Sequence, residues 1–306
     1  MKWVVINLLQ LLIKISRRWL RLISTLHDKI DTSFDLNAHN KSVLRSTVVH
    51  DMKNDTDELY YTEQYWIHIN NNLDCLEVNR VGRFLDLGCG QGRLTLPLAK
   101  WSKVADITGV DLSEVAIAQA KENSKGMNNI NFIQSDISEY LREIPDASID
   151  VIFFFEVSFF LPDLDQVLMN IKRVLKPGGI LFSSFRSRYF NTLCCIQDGL
   201  WSSSEMLLDK RSGKLFGSET FLNWNTSEEL RNIFIRSKEF KLHDFRGIGC
   251  CSGIAGDPHS KFARPSLLND YEKTQLMKLE NATGLDVPDA GRYIFMVAEK
   301  SGEIFR

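Results

Sequence analysis

The sequence predicts an α/β chain folded around a doubly wound, Rossmann-like sheet, and three observations carry that expectation. Short apolar runs that end in an acid alternate with helical periodicity from Phe84 to Phe185. The first of these runs opens into a turn with glycine at every second position, Gly88, Gly90 and Gly92. The stretch Asp150-Val151-Ile152-Phe153-Phe154-Phe155 is continuously apolar after its acid, as a strand covered on both faces of a parallel sheet must be. With 306 residues, 44% of them hydrophobic, the chain is long enough for one large α/β domain with additions. Its formal net charge of −2 gives no electrostatic reason to expect nucleic acid as a partner, so a small molecule is the expected ligand.

The chain opens unusually. Between Met1 and His27, Lys14, Arg17, Arg18 and Arg21 join a polar stripe opposite a broad apolar face, and no acid precedes Asp28. A basic amphipathic helix over 1–27 suits peripheral contact with a membrane surface, while its charges argue against a span. Packing on its own domain and organellar targeting are the other two fates open to such a helix. Residues 28–58 turn polar and lose periodicity, which reads as a linker or arm. The main domain is expected over 59–306. It begins with a short aromatic-rich helix, Leu59 to Ile69, whose Tyr61, Tyr65 or Trp66 would cover a positively charged ligand or else fill core.

Phe84 to Leu87 is the first strand, and helical periodicity resumes at Arg93. A second strand ends at Asp111, Ser113 stands where an N-cap belongs, and Glu114 to Lys121 is an alanine-rich helix. A third strand leads to Asp136. The acids Asp86, Asp111 and Asp136 are therefore 25 positions apart in each step. Asp163 to Leu175 reads as a helix stopped by Lys176-Pro177-Gly178-Gly179, and Ile180 to Phe185 as the fifth strand. Thr226-Ser227-Glu228-Glu229 is a capping box that opens a helix to about Lys238, and Phe240–Arg246 and Arg292–Lys300 read as the last two strands. The intervening segments 187–225 and 247–291, the second with a helix from about Ser266 to Asn281, are too long for plain connections and are expected to cap the substrate.

The pattern Asp86-x-Gly88-x-Gly90-x-Gly92, with two further strand-end acids in register, resembles motif I and its partners in the class I S-adenosylmethionine-dependent methyltransferases. The Leu175-Lys176-Pro177-Gly178-Gly179 segment resembles the same family. The resemblance implies a seven-stranded sheet of order 3-2-1-4-5-7-6 with the last strand antiparallel, and S-adenosyl-L-methionine as cofactor. It also implies a cofactor site built from Asp86, Gly88, Cys89, Gly90 and Gly92 in the loop, Asp111 with Leu112 at the ribose hydroxyls, and Asp136 with Ile137 at the adenine.

Glu156, at the end of the fourth strand beside an apolar mouth of Val157, Ser158, Phe159 and Phe160, is the candidate base; a carboxylate that only accepts hydrogen bonds is its competing role. His259 in the cap is a weaker candidate. Tyr61, Trp66, Phe159, Arg186 and Arg264 are candidate substrate contacts, the arginines for a carboxylate or phosphate. No metal site is expected. The six cysteines show no C-x-x-C spacing and fit free thiols in a reducing, cytoplasmic compartment.

Glu156-Val157-Ser158-Phe159 is not the Asn-Pro-Pro-Tyr type that resembling enzymes use on amide or adenine nitrogen, and no Pro-Cys nucleophile is present. The expected reaction is therefore in-line methyl transfer to an O, N or C atom of a small, partly apolar or lipid-like acceptor. Two alternatives compete. A nicotinamide oxidoreductase on a similar fold needs a third fingerprint glycine where Arg93 stands. A non-enzymatic cofactor-binding protein at a membrane would keep the loop and lose the turnover.

Overall fold

Parallel strands buried on both faces need helices above and below, and the chain supplies them in strict alternation. The computed structural model describes residues 41–42, 44–45, 55–102, 105–215, 220–235 and 239–302. The basic helix expected over 1–27, most of the expected arm and the last residues before Lys238 lie outside the described residues. Helix α1 (Thr56–Cys75) is followed by β1 (Arg83–Leu87), α2 (Thr95–Trp101), β2 (Asp106–Asp111), α3 (Glu114–Asn123), β3 (Ile130–Gln134), α4 (Ile137–Glu143), β4 (Ile149–Phe154), α5 (Leu164–Val174) and β5 (Leu175–Arg186). Then come α6 (Arg188–Gln197), α7 (Trp201–Asp209), β6 (Ser212–Lys214), β7 (Phe221–Asn223), α8 (Ser227–Ile235), β8 (Phe240–Ile248), α9 (Asp270–Asp286) and β9 (Tyr293–Lys300).

The main sheet has the order β3-β2-β1-β4-β5-β9-β8, with β9 antiparallel to both neighbours. This is the order expected from the sequence, since β8 and β9 are its sixth and seventh strands. Alternate residues of each strand go to opposite faces. On one side Leu85, Leu87, Ile152, Phe154 and Met296 pack with Leu141, Ile171 and Phe234 of α4, α5 and α8. On the other, Phe84, Phe153, Phe182 and Phe295 pack with Tyr65, Ile69 and Leu73 of α1 and Leu98 of α2.

The helix starts follow the capping residues. Ser113 Oγ accepts from the Ala116 N–H at 3.3 Å, and Asp136 Oδ1 accepts from the N–H groups of Ser138 and Glu139 at 2.9 and 3.2 Å. Thr226 and Glu229 close the expected capping box on α8, with the Thr226 N–H 2.8 Å from Glu229 Oε2. Helix α9 begins later than expected. Pro265–Leu267 takes a short 3₁₀ turn, and Asn269 forms the capping box with Glu272. The helix then runs on to Asp286 through Gly284, where a Cβ would lie 2.2 Å from the Gly247 carbonyl oxygen, so glycine lets α9 press against β8.

Helix α1 is also longer than the expected short helix. Tyr61, Tyr65, Ile69 and Leu73 recur every fourth residue as one buried stripe, and that stripe forms part of the second core layer. The segment after β5 folds as α6 and α7 followed by the β6–β7 ribbon, with its own small core of Cys195, Leu207, Leu215 and Trp224. Asp289, in the segment before β9, anchors it: its carbonyl accepts from Ser187 Oγ at 2.8 Å and its carboxylate from the Ser227 N–H at 2.8 Å. No helix among the described residues is long and apolar enough to cross a membrane.

Candidate active site

The turn after β1 is built where its glycines are required. Gly88, Gly90 and Gly92 have φ of 79°, 52° and 88°, the left-handed region that only glycine enters freely. A Cβ on Gly88 would lie 2.8 Å from the Val157 Cβ, whereas one on Gly90 would meet nothing within 4 Å. The difference marks which side of the loop is packed and which side is open.

The open side faces a cavity of about 630 Å³, lined by Gly88 and Gly90, by Asp111 and Leu112 at the end of β2, and by Asp136 and Ile137 at the start of α4. Glu156, Val157, Phe160 and Leu161 line it too, as do Lys41 and Leu44. The volume falls within the range of small-molecule and cofactor sites, roughly 300 to 1,000 Å³. Asp111 accepts from the Gly90 N–H at 2.9 Å and the Ser113 N–H at 2.8 Å, so one carboxylate ties the glycine loop to the second strand. Burial raises its pKa, and these backbone bonds oppose that rise. Asp136 is held as the α4 cap and lies 3.2 Å from Lys41 Nζ.

The other loop residues singled out by the sequence have different surroundings. Asp86 is 3% exposed and does not line the cavity; its Oδ2 accepts from Thr95 Oγ1 at 2.5 Å, and burial lifts its pKa to about 7. Cys89 packs with Ile117, Ala120 and Phe132 behind the loop. Gly92 faces Leu96 and Phe132.

Glu156 has a φ of 54°, unusual for a side chain with a Cβ, and its N–H donates to Ser184 Oγ at 2.9 Å. Arg93 Nη2 is 2.8 Å from its carboxylate. Burial would raise the Glu156 pKa, but the charges of Arg93 and Arg292 outweigh it and the net direction is down. Glu156 is thus an ionised, paired carboxylate with little tendency to take a proton. His259 is 1% exposed, its Nδ1–H donates to the Gly249 carbonyl at 2.8 Å, and burial lowers its pKa. Glu156 is paired with Arg93 and His259 does not line the cavity, so neither is placed as a general base there.

None of the five candidate substrate residues lines the cavity itself. Tyr61 is in the α1 stripe with its hydroxyl donating to the Ser252 carbonyl at 2.5 Å, and Trp66 packs half-buried against the same core layer. Arg264 lies 3.4 Å from Asp57, away from the loop. Phe159 and Arg186 do come together, beyond Glu156, with Phe190 and Tyr293. The sequence reading did not single out Asn191, Arg292 or Tyr293. Nothing local marks them; Tyr293 becomes visible only through the β5–β9 register, which sets it opposite Arg186. Among the described residues no cluster of His, Cys, Asp or Glu could hold a metal ion.

Comparison with known proteins identifies relatives of this chain. The sequence model described as "Methyltransferase domain" matches residues 79–220. The malonyl-[acyl-carrier protein] O-methyltransferase of Halalkalibacterium halodurans is 35% identical over 207 residues, which span 63% of this chain and 72% of that protein. The ubiquinone biosynthesis O-methyltransferase of Coxiella burnetii is 36% identical over 107 residues, covering 35% of this chain and only 44% of that protein. Two solved structures share the fold. They are the magnesium protoporphyrin IX methyltransferase of Synechocystis with bound SAH (TM-score 0.54, 13% identity, 87% of this chain and 100% of that chain) and a putative S-adenosylmethionine-dependent methyltransferase of Listeria monocytogenes (TM-score 0.51, 15% identity, 78% and 99%).

A doubly wound sheet with an acid-rimmed cavity at the carboxyl ends of its first three strands defines a nucleoside-cofactor enzyme. The chain belongs to the class I S-adenosylmethionine-dependent methyltransferases, and S-adenosylmethionine is its cofactor.

Proposed function

We propose that this enzyme methylates a small, partly apolar acceptor that reaches the cofactor from beneath the cap formed by 187–225 and 247–291, and that the accepting atom is oxygen. The carrying observation is the cavity: its lining includes Asp111 and Asp136 and also Glu156 with the apolar Val157, Phe160 and Leu161 that follow β4. Two relatives whose names specify O-methylation support oxygen, one of them matched over 72% of its length, against one relative matched over 26% of its length whose name specifies C-methylation.

In this reading Gly88 and Gly90 let the loop backbone approach the ligand, Asp111 accepts from the ribose hydroxyls beside Leu112, and Asp136 accepts from the adenine amine with Ile137 against the ring. When bound, the cofactor supplies an electrophilic methyl group on a sulfonium. The chain's own work is then to hold an acceptor in line and keep water out. Val157, Phe160 and Leu161 provide the apolar wall for that task. The basic segment 1–27 would bring a lipid-like acceptor within reach if it lies on a membrane.

The test has two parts. Isothermal titration with S-adenosylhomocysteine should give saturable one-to-one binding, and mass spectrometry of a metabolite and lipid extract incubated with labelled cofactor should show a gain of one methyl on an oxygen. Absence of binding up to millimolar ligand contradicts the site; methylation on nitrogen or carbon contradicts the choice of atom.

A further inference from the structure

Beyond Glu156, the carboxyl end of β5 meets the start of β9, and two guanidinium groups share one set of rings. Arg186 Cζ lies 4.9 Å from the Phe190 ring centre, 5.4 Å from Phe159 and 5.9 Å from Tyr293. Arg292 Cζ lies 5.6 Å from Phe190 and 5.4 Å from Tyr293. Their electrostatic situations differ. Arg292 is 3.2 Å from Asp257, and Arg93 nearby has Glu156 at 2.8 Å and Glu58 at 3.9 Å. Arg186 has no acid within ion-pair distance among the described residues; its Nε donates to the neutral Asn191 Oδ1 at 2.8 Å.

Asn191 is 1% exposed, and its amide orientation is fixed by that bond, because the flipped amide would set donor against donor. Its Nδ2 therefore faces away from Arg186 Nε and has no hydrogen-bond partner, and buried Arg292 Nε has none either. A buried donor left without an acceptor is costly, and an uncompensated guanidinium held among rings more so. At Arg292 the missing bond is offset by Asp257, whose buried Oδ2 also lacks a hydrogen-bond partner, so the shortage of an acceptor centres on Arg186 and Asn191 Nδ2.

Resting on the methyl-transfer reading above, we propose that Arg186, Arg292 and Asn191 Nδ2 form a carboxylate-binding subsite, and that the acceptor is a carboxylic acid whose apolar body lies against Phe159, Phe190 and Tyr293. A carboxylate offers two acceptor oxygens to a guanidinium fork and supplies the missing charge. Neither Glu156 nor His259 is placed to take a proton, which also favours an acceptor that is already ionised at neutral pH.

The full chain saturated with S-adenosylhomocysteine is titrated with octanoate, benzoate and 3-phenylpropanoate, with the primary amide of each, and with octyl phosphate. At least one acid should bind, its amide should bind at least about 10-fold more weakly, and Arg186→Gln should weaken the acid by roughly 100-fold, the scale of removing one partner of a buried charge pair. Asn191→Asp is the second variant. It keeps the acceptor for Arg186 Nε, so the fold is preserved, but supplies the negative charge internally, and it should likewise weaken the acid by roughly 100-fold. Both variants should keep wild-type affinity for S-adenosylhomocysteine, which reports the fold and the cofactor site independently. Equal binding of acid and amide, no binding by any acid, an Asn191→Asp enzyme that binds acid like wild type, or tighter binding of octyl phosphate would overturn the carboxylate subsite alone. Failure of the wild-type chain to bind S-adenosylhomocysteine would overturn the methyl-transfer site itself.

Discussion

The rim of β1 to β3 and the ground beneath the cap are assembled by different means. At the rim the decisive bonds are short in sequence and use backbone: Asp111 takes the N–H groups of Gly90, 21 residues away, and of Ser113, two away, while Asp136 caps the helix that it begins. On the cap side two of the bonds span more than half of the chain. Tyr61 reaches Ser252 across 191 positions, Gln64 accepts from the Gly249 N–H across 185, and buried Glu280 gathers the N–H groups of Cys250 and Cys251. The rim is fixed by carboxylates that hold backbone N–H groups near them in sequence, whereas the cap side depends on contacts between residues far apart in sequence. On the proposed reading, cofactor binding and acceptor choice are therefore separable.

The largest expected effect probes the rim's buried acid. The folded state holds a proton on Asp86 up to about pH 7, well above the usual carboxylate range, because burial disfavours its charge. Between about pH 4 and 7 the folded chain binds more protons than the unfolded chain, so this group makes stability fall as pH rises through that window. Asp86→Asn should remove that slope, a difference of about 3 kcal/mol, read as urea unfolding of wild type minus variant at pH 4.5 and 7.5. Equal slopes would mean that Asp86 titrates normally.

The glycine pair gives a smaller and sharper contrast. Gly88→Ala drives a methyl into Val157 at a left-handed position and should cost roughly 2 to 4 kcal/mol of stability in thermal unfolding. Gly90→Ala meets no neighbour and should cost only about 1 kcal/mol of stability, from backbone strain, while its methyl stands at the cavity and weakens S-adenosylhomocysteine binding. Similar stability losses for both would erase the distinction between a packed and an open side of the loop.

The same contrast decides what could be read before any fold was known. The glycine turn, the strand-end acids, Ser113 and the Thr226 capping box act within a few residues of themselves, so spacing exposes them, and the strand order followed from the family that those motifs resemble. Tyr61 and Tyr65 were ambiguous because a four-residue aromatic repeat looks the same whether it faces a ligand or a core; long-range packing on Phe155 and Tyr293 is what settles Tyr65. Asn191 and Arg292 carry no motif at all. The relation of Arg292 to Arg186 exists only after β9 inserts antiparallel between β5 and β8, whereas Asn191 meets Arg186 five residues on, in the first turn of α6. Glu156 looked like a base because its own neighbours are apolar, but Arg93, far off in sequence and absorbed into the glycine motif, neutralises it.

The account rests most directly on Asp111 as the carboxylate that grips the cofactor ribose. Isothermal titration of S-adenosylhomocysteine into wild type and Asp111→Ala, at a temperature where both are folded by circular dichroism, measures this. The predicted result is a loss of about 1.5 to 3 kcal/mol of binding free energy, the value of hydrogen bonds to a charged group. An affinity unchanged from wild type would contradict it.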